Sequence, residues 1–220
     1  MRQMLCFCGV LLTAVTIVFF TSRASAEAVT LPDPVLDDAP GAKGSATLVL
    51  AGGCFWGIEE VYQHVRGVVD AVSGYAGGPA RTASYEMVSA GTSGHAESVR
   101  ITYDPSMVSI GQLLKVFFSV AHDPTQRNRQ GPDVGPQYRS AVFFSGVRQQ
   151  QITTAYIDQL NAARVFARPI VTEVVPLVAF YPAEDEHQDY VARNPFSRYV
   201  IMHDAPKVEA FKQEFTALYK

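Results

Sequence analysis

The chain has 220 residues, of which 48% are hydrophobic and 18% are charged, a composition that favours one packed domain and argues against wholesale disorder. The formal net charge is −3 and no run of Lys or Arg stands out, which argues against an electrostatic nucleic-acid binder. The five His and three Cys show no CxxC, HxH or HExxH spacing, so no metal site is predicted.

Residues 1–26 have the order of a secretory signal peptide. They begin with the positive Arg2, continue with the uncharged and mostly apolar stretch 5–20, and end on an Ala-x-Ala site. We therefore expect cleavage after Ala26 and export, to the periplasm if the source is bacterial. An uncleaved membrane anchor is the alternative, although the stretch is short for a relaxed span.

Cleavage at this site would leave Cys54 as the single cysteine, because Cys6 and Cys8 would be removed. The remaining chain could then form no internal disulfide in an oxidising compartment. A lone cysteine in an exported protein suggests a free reactive thiol or pairing with another chain.

The elements of the chain follow an aperiodic segment, residues 27–45, which its Pro and Gly residues mark as a flexible linker or arm. The domain is expected over 46–220, and its first strand over 47–51, where Gly52 and Gly53 close an apolar run. Apolar residues at helical spacing predict a helix over 55–66. The later elements are strand 68–72, strand 96–103, helix 109–120, loop 121–137, strand 139–144, helix 147–163, strand 170–176, and helices near 184–192 and 206–218.

The order β-α-β-β-α-β over residues 47–144 is that of a split βαβ unit, the ferredoxin-like core. We therefore expect an α+β domain in which helices pack against one mixed β-sheet. The loop 121–137 is long for a compact domain, and such loops are often functional.

Cys54 stands where the first predicted strand ends and the first helix begins. The unpaired N–H groups and positive dipole end of a helix N-terminus favour a thiolate and lower a thiol pKa, which suits a nucleophile. A buried structural cysteine is the alternative. Phe55 and Trp56, the only Trp of the chain, follow directly. They would form either ordinary core packing or an aromatic wall beside the thiol.

Six segments resemble, in order and spacing, the signature sequences of the peptide methionine sulfoxide reductase A family. They are GCFWG at 53–57, GYAGG at 74–78, SYEMV at 84–88, GHAE at 94–97, QGPDVGPQYRS at 130–140 with Asn128 before it, and AEDEHQ at 183–188. The resemblance covers about residues 48–196, and an ordered set is far more specific than one pentapeptide.

The resemblance implies thiol-dependent reduction of the S epimer of methionine sulfoxide, free or in proteins, and hence repair of oxidised proteins. Cys54 would attack the sulfoxide sulfur, and Glu97 would protonate the leaving oxygen. A carboxyl buried beside aromatic rings can stay protonated near neutral pH. Tyr85 and Tyr138 would donate hydrogen bonds to the same oxygen. Without the resemblance, Glu97 is an ordinary solvated strand residue and the two tyrosines are half-buried packing residues.

The family match also assigns the groups that hold the substrate. Phe55 and Trp56 would receive the methyl group of the sulfoxide. Asp133 lies in a Gly- and Pro-rich loop and would contact the substrate amide or order the loop. An Asx turn is the alternative for Asp133.

His95 and His187 are expected to support the site. His95 lies two residues before Glu97 on the same predicted strand, so both side chains would face one side, and His187 would make a hydrogen bond behind the substrate groups. If either histidine instead served as a base for Cys54, the chain would be a cysteine hydrolase or acyltransferase. A non-enzymatic exported protein that tethers a partner through Cys54 is the other alternative.

Regeneration of the enzyme is the point at which this chain departs from many family members. Oxygen transfer would leave Cys54 as a sulfenic acid, which condenses with a second thiol. Many members carry resolving cysteines in a C-terminal tail, but no Cys follows Cys54 here. We therefore expect an external reductant: a thioredoxin-like protein, a glutaredoxin-like protein or a small thiol. The expected partners are this reductant and oxidised proteins or peptides. We expect a monomer with no bound cofactor, no nucleic acid, and a membrane only if the leader is uncleaved.

Overall fold

The computed structural model describes residues 31–38, 41 and 44–220. The predicted signal peptide over 1–26, with Cys6 and Cys8, lies outside the described residues. Within them, no helix combines the length and the hydropathy that crossing a membrane would require.

The described part of the chain contains eight β-strands and six α-helices. The strands are β1 (Ala46–Gly52), β2 (Val68–Ala76), β3 (Ala96–Tyr103), β4 (Arg129–Gln130), β5 (Asp133–Val134), β6 (Ser140–Phe144), β7 (Glu173–Pro176) and β8 (Phe180–Pro182). The helices are α1 (Phe55–Gln63), α2 (Tyr85–Ser89), α3 (Ile110–Val116), α4 (Val147–Ala162), α5 (Tyr190–Arg193) and α6 (Ala205–Glu214). Two π-helical turns, Phe117–Ala121 and Val200–Asp204, follow α3 and precede α6.

Six of the strands form one mixed sheet in the order β7-β6-β1-β3-β2-β8. Its four central strands pair antiparallel, and β3 lies between β1 and β2. This is the split arrangement predicted from the sequence, so the α+β class and the ferredoxin-like core are confirmed. At the edges, β7 adds to β6 in parallel and β8 adds to β2 antiparallel.

The central strand β1 has an apolar sequence because both of its faces are buried. Leu48 and Leu50 belong to the main core, which includes residues of α1, α3, α4 and α6. Val49 and Ala51 belong to a smaller apolar cluster that includes residues of β2, β3 and β6. The strand thus ends, at Gly52, in a fully buried environment, which fixes the position of the turn between β1 and α1.

The elements differ from the predictions where long-range contacts decide. The strand predicted over 68–72 continues to Ala76, because Gly74, Tyr75 and Ala76 pair with β3 on one side and with β8 on the other. The predicted loop 121–137 contains the β4–β5 hairpin. The short elements α2 and β8 were not predicted. In contrast, the predicted cap of α3 is present, since Ser109 Oγ accepts the N–H of Gln112 at 3.1 Å.

The segment 31–38, part of the predicted linker or arm, makes fixed contacts with α4. Leu31 is 2% exposed and belongs to the main core. Tyr156 donates its hydroxyl to the Pro32 carbonyl at 2.8 Å, and the Gln159 side chain accepts the Val35 N–H at 2.9 Å. Residues 31–38 therefore have the contacts of an arm and not those of a flexible linker.

Candidate active site

Cys54 occupies the turn between β1 and α1, as predicted. Gly53, just before it, has φ of +102°, in a region that favours glycine. A Cβ at Gly53 would also lie 2.6 Å from Gln130 Cβ, so a larger residue would not fit. Cys54 directly precedes Phe55, the first residue of α1, and is 7% exposed.

A small cavity of about 180 Å³ surrounds the thiol. Most of its lining is aromatic. The lining residues are Cys54, Phe55, Trp56, Tyr85, Glu97, Asp133, Tyr138 and Tyr199. The structure therefore brings together seven of the nine residues that sequence reasoning selected, and it adds Tyr199.

Glu97 lies on β3 with its carboxyl group at the start of α1. It is 2% exposed, and its Oε2 accepts the Phe55 N–H at 3.2 Å. Burial raises the pKa of this carboxyl to about 8, and the Asp133 carboxylate adds to the rise while the Phe55 N–H opposes it. Glu97 is thus mostly protonated at neutral pH and can act as a proton donor beside Cys54.

The phenols of Tyr85 and Tyr138 line the same cavity. The Glu184 carboxylate holds the start of α2 in place, because it accepts the Tyr85 N–H at 2.9 Å and the Tyr75 hydroxyl at 2.7 Å. Burial raises the pKa of both cavity phenols, and the Glu97 carboxylate adds to the effect. Both phenols therefore stay protonated and can donate hydrogen bonds to a bound oxygen.

The helix N-terminus acts on the Cys54 thiol in the predicted direction, through the Trp56 N–H, but the net shift of the thiol pKa is upward. Burial raises that pKa well above its ordinary value, and the carboxylates of Glu97 and Asp204 raise it further. The Trp56 N–H and the Lys207 ammonium act in the opposite direction but do not outweigh burial. The resting site is therefore a neutral thiol beside a largely neutral carboxylic acid.

Trp56 is held as one wall of the cavity. Tyr190 stacks on its indole with ring centroids 3.7 Å apart and an angle of 9°. The indole Nε1 donates to His187 Nδ1 at 3.3 Å, so His187 holds the indole from its edge. The ring of Tyr199 meets Trp56 edge-on at 5.8 Å. This packing fixes a flat apolar surface next to Cys54.

Asp133 is joined to the C-terminal part of the chain. Its carboxylate accepts the hydroxyl of Tyr199, and this contact ties the loop that carries Asp133 to the segment before α6. Sequence reasoning missed Tyr190 and Tyr199 because both are more than 130 residues from Cys54 in the chain and no local pattern places them beside the thiol. Their only signal in the sequence is aromatic content near the predicted C-terminal helix.

The chain is similar to known proteins over most of its length. The family profile described as Peptide methionine sulfoxide reductase matches residues 46–219. The chain belongs to this family. It is 54% identical over 189 residues to Peptide methionine sulfoxide reductase MsrA 2 of Synechocystis sp., covering 84% of this chain and 88% of that one. It is 56% identical over 182 residues to MsrA 2 of Mesorhizobium japonicum, covering 83% and 93%.

A solved structure of a similar fold agrees with the family. The reduced form of Mxr1 from Saccharomyces cerevisiae superposes with a TM-score of 0.66 and 31% sequence identity. The match covers 77% of this chain and 96% of that one. The mixed sheet with packed helices is thus the fold of this reductase family.

His95, which strand alternation predicted to face the same side as Glu97, makes its hydrogen bonds to other groups than the Glu97 carboxyl. Its Nδ1 accepts the Gly78 N–H at 3.2 Å and its Nε2 donates to the Pro79 carbonyl at 3.1 Å, so the turn after β2 uses both nitrogens. Burial lowers the pKa of the imidazole, which keeps it neutral. The sequence could not reveal that the turn, and not Glu97, is its partner.

The hydrolase alternative requires a histidine nitrogen on the thiol. Both nitrogens of His95 are engaged elsewhere, and His187 Nδ1 accepts from the Trp56 indole. Within residues 44–220, the two proposed bases make no hydrogen bond to Cys54. The same residues contain no group of three or more His, Cys, Asp or Glu side chains that could hold a metal ion.

A buried carboxyl group, Asp204, packs against α1 and was not predicted. It is 0% exposed, and its Oδ1 lies 3.4 Å from Lys207 Nζ. A Cβ at Gly57 would overlap this Oδ1 and would come within 2.9 Å of Lys207 Nζ. The second glycine of the GCFWG segment is therefore required so that Asp204 can approach the helix that begins after Cys54.

Proposed function

We propose that this chain reduces the S epimer of methionine sulfoxide to methionine, with the Cys54 thiol as the attacking group and an external thiol as the reductant. The observation that carries the proposal is that Cys54 shares one small aromatic cavity with a buried carboxyl, Glu97, that is protonated at neutral pH. Membership of the reductase family and the names of the relatives support it. The S preference follows from the family, since each reductase type handles one sulfoxide epimer.

The cavity fits the reacting end of the substrate. Phe55 and Trp56 offer apolar ring surfaces to the methyl group, and a volume of about 180 Å³ admits a methyl sulfoxide but little more of the substrate. Tyr85 and Tyr138 supply donors for the sulfoxide oxygen. The remainder of a peptide would lie outside, where Asp133 and Tyr199 form part of the rim.

The oxygen-transfer step balances with these groups alone. The Cys54 sulfur attacks the sulfoxide sulfur while the Glu97 carboxyl gives its proton to the sulfoxide oxygen. The oxygen then passes to Cys54 as a sulfenic acid, and methionine leaves. The thiol proton restores the Glu97 carboxyl overall. The Cys54 sulfur is oxidised by two electrons and the methionine sulfur is reduced by two.

We expect recycling by an external thiol, because no Cys follows Cys54 in the given sequence and cleavage after Ala26 would remove Cys6 and Cys8. One thiol condenses with the sulfenic acid, forms a mixed disulfide and releases water. A second thiol attacks the mixed disulfide and frees Cys54. A thioredoxin-like protein, a glutaredoxin-like protein or a small thiol can supply both.

The cellular site of this activity is proposed from the sequence of residues 1–26 alone. A cleaved leader would place the enzyme in the periplasm or outside the cell, where oxidised exported proteins would be its substrates. Cell fractionation with N-terminal sequencing tests this. The expected product begins at Glu27 in the exported fraction, and an intact chain found only in the cytosol would contradict the proposal.

The activity is tested by single turnover without reductant. The protein is mixed with a peptide that contains S-methionine sulfoxide, and methionine and the mass of Cys54 are measured. We expect close to one methionine per Cys54 and one added oxygen on the thiol. Cys54→Ser should release none, and Glu97→Gln should slow release by about 10²- to 10⁴-fold.

The R epimer of the same peptide is the matched control and should give no methionine. A folded protein that releases none from either epimer would contradict the proposed reaction. A stable mixed disulfide without turnover would favour the alternative of a non-enzymatic protein that tethers a partner through Cys54.

A further inference from the structure

Gly52 and Gly53, the glycine pair before Cys54, each have a polar side chain packed directly against the backbone. A Cβ at Gly52 would lie 2.8 Å from His122 Cγ. A Cβ at Gly53 would lie 2.6 Å from Gln130 Cβ. Contacts this short do not occur with a real Cβ, so His122 and Gln130 occupy the space that other side chains at these two positions would need. The glycine pair is therefore in direct contact with both side chains.

His122 is itself held by hydrogen bonds at both ring nitrogens. Its Nδ1 donates to the Phe117 carbonyl at 3.1 Å, since a carbonyl oxygen can only accept. In a neutral imidazole Nε2 is then an acceptor, and it accepts the Ser140 hydroxyl at 2.7 Å. Ser140 Oγ in turn accepts the Thr172 hydroxyl at 2.7 Å. The hydrogen bonds therefore run in one direction, from Thr172 to the first residue of the π-helical turn Phe117–Ala121.

The imidazole of His122 is neutral because it is buried. The residue is 8% exposed, and burial lowers its pKa to about 4. The Lys207 ammonium lowers this pKa further, whereas the Phe117 carbonyl and the Asp123 carboxylate raise it. At neutral pH the ring therefore has one N–H and one acceptor nitrogen, as the hydrogen bonds from Thr172 require.

The second side chain on the glycine pair, Gln130, is held by the residue that follows His122. Gln130 Oε1 accepts the Asp123 N–H and Gln130 Nε2 donates to the Asp123 carbonyl, each at 3.2 Å. The Asp123 carboxylate accepts the Thr125 N–H at 2.9 Å and the Gln126 side-chain amide at 2.9 Å. Two consecutive residues, 122 and 123, therefore determine where both contacts with the glycine pair are made.

Cys54 lies between this pair of contacts and a second fixed point. On one side, Gly52 also pairs with Ser140 in the register of β1 and β6. On the other side, the Phe55 N–H donates to Glu97 Oε2 at 3.2 Å. Cys54 is the single residue between the glycine pair and Phe55, so a shift of the glycine pair would move its sulfur relative to the Glu97 carboxyl.

We propose that His122 is a positioning residue for methionine sulfoxide reduction. It holds the backbone of the glycine pair so that the Cys54 sulfur faces the sulfoxide beside Glu97. The inference rests on the proposed function. An apolar side chain of similar volume would fill the same space, but hydrogen bonds at both nitrogens also fix the orientation of the ring. Among the described residues, His122 is not part of the small cavity's lining, so it acts through the backbone and not by contact with the sulfoxide.

The expected effect is on the rate of reaction and not on the affinity for the peptide. Reacting atoms must lie about 3–3.5 Å apart, and a misplacement of about 1 Å can slow a reaction about 100-fold. Binding of the peptide instead uses the ring surfaces of Phe55 and Trp56, which follow Cys54 in the chain. Loss of the His122 hydrogen bonds should therefore lower the maximal rate of methionine release and leave the half-saturating peptide concentration unchanged.

The test compares two substitutions of His122 in single turnover without reductant. The rate of methionine release is measured against the concentration of the S-methionine sulfoxide peptide. His122→Leu fills a similar space but removes both hydrogen bonds. His122→Gln fills a similar space, and its amide can still accept the Ser140 hydroxyl. Urea unfolding confirms that each variant is folded, and mass spectrometry confirms that Cys54 is a free thiol.

We expect His122→Leu to lower the maximal rate by about tenfold or more, while the half-saturating concentration changes by less than about twofold. His122→Gln should recover most of the rate of the parent protein. Ser140→Ala removes only the hydroxyl between Thr172 and His122. It should lower the maximal rate by about threefold, and it provides the test if His122→Leu does not fold.

Tyr156→Phe is the matched control for the loss of a buried hydrogen bond. Tyr156 is 0% exposed and donates its hydroxyl to the carbonyl of Pro32, in the arm, at 2.8 Å. The substitution should lower the stability of the protein but leave the maximal rate and the half-saturating concentration of the parent unchanged.

A folded His122→Leu protein with the maximal rate of the parent would overturn the inference. Equal losses of rate in His122→Leu and His122→Gln, or in His122→Leu and Tyr156→Phe, would also overturn it, as would a change confined to the half-saturating concentration. A parent protein that releases no methionine would instead contradict the proposed function.

Discussion

Replacing Glu97 with Gln should stabilise the protein at neutral pH while it removes the proposed acid of the reaction. The carboxyl is buried with a pKa of about 8, against an ordinary value of 4.5. Gln has the same shape, cannot ionise, and can still accept the Phe55 N–H through its amide oxygen. Its effect on stability and its effect on activity should therefore have opposite signs.

The sign and the magnitude follow from proton linkage. Between pH 4.5 and about 8 the folded state holds a proton on Glu97 that the unfolded state has lost, so the free energy of unfolding falls as pH rises. The stability that the bound proton contributes is fully present below pH 4.5 and is lost as the pH rises through about 8. Each pH unit above 4.5 lowers the free energy of unfolding by about 1.36 kcal/mol. Relative to a neutral side chain, Glu97 therefore lowers it by about 1 kcal/mol at pH 5 and by about 3 kcal/mol at pH 7.

The assay is urea unfolding, followed by the fluorescence of Trp56, from pH 5 to pH 8. The stability of Glu97→Gln minus that of the parent should grow by about 2 kcal/mol between pH 5 and pH 7. Glu59→Gln is the matched control. Glu59 is also buried, has a pKa raised to about 7, and accepts the Ser73 hydroxyl at 2.7 Å outside the cavity. Glu59→Gln should alter the pH dependence of stability but leave the rate of methionine release unchanged.

The pH dependence of methionine release gives an independent check that Glu97 carries a proton at neutral pH. In the parent protein the rate of methionine release should fall above about pH 8, by about tenfold per pH unit, as Glu97 ionises. Parallel stability curves for the parent and Glu97→Gln between pH 5 and pH 8 would refute the claim that Glu97 is a neutral carboxylic acid at pH 7. A release rate that stays constant beyond pH 9 would refute its role as the acid.

Three further predictions concern the donors, the packing of α1 and the arm. Tyr85→Phe and Tyr138→Phe should each slow methionine release by about 100-fold with little change in unfolding midpoint, because each removes one donor to the oxygen; unchanged single-turnover rates would exclude the hydrogen bonds. Gly57→Ala should lower the free energy of unfolding by about 1–3 kcal/mol, because its Cβ overlaps the Asp204 carboxylate, and a neutral effect in urea unfolding would contradict this packing. Leu31→Ala should cost about 2–3 kcal/mol, since Leu31 is 2% exposed in the main core; calorimetry showing no loss would mean that the arm does not stabilise the domain.

Much of the fold could be predicted because its signals are local. The apolar run of β1, the glycine pair after it and the Ser109 cap act within a few residues, and each appears where the sequence placed it. The elements α2 and β8 are short and depend on distant partners. The start of α2 is held by Glu184, and β8 exists as a partner of the extended end of β2.

The sequence by itself also selected most of the side chains that line the small cavity. It selected Cys54 at a strand-to-helix turn, and the ordered motifs selected Glu97, Tyr85 and Tyr138, which the fold brings into one cavity. It further determined that no cysteine follows Cys54, so the sequence after Cys54 offers no resolving thiol.

The tertiary structure alone decided the protonation states and the surroundings of these groups. The Cys54 thiol has a raised pKa because burial outweighs the helix N-terminus, a balance that no local pattern reveals. The partner of His95 is a turn, and the partner of Asp133 is Tyr199, 66 residues away in the chain. A larger cavity of about 640 Å³, which includes Cys54, Phe118 and Phe166 in its lining, likewise forms from segments that are far apart in sequence. Periodicity and turn chemistry act over a few residues, whereas desolvation depends on whatever the completed fold packs around a group.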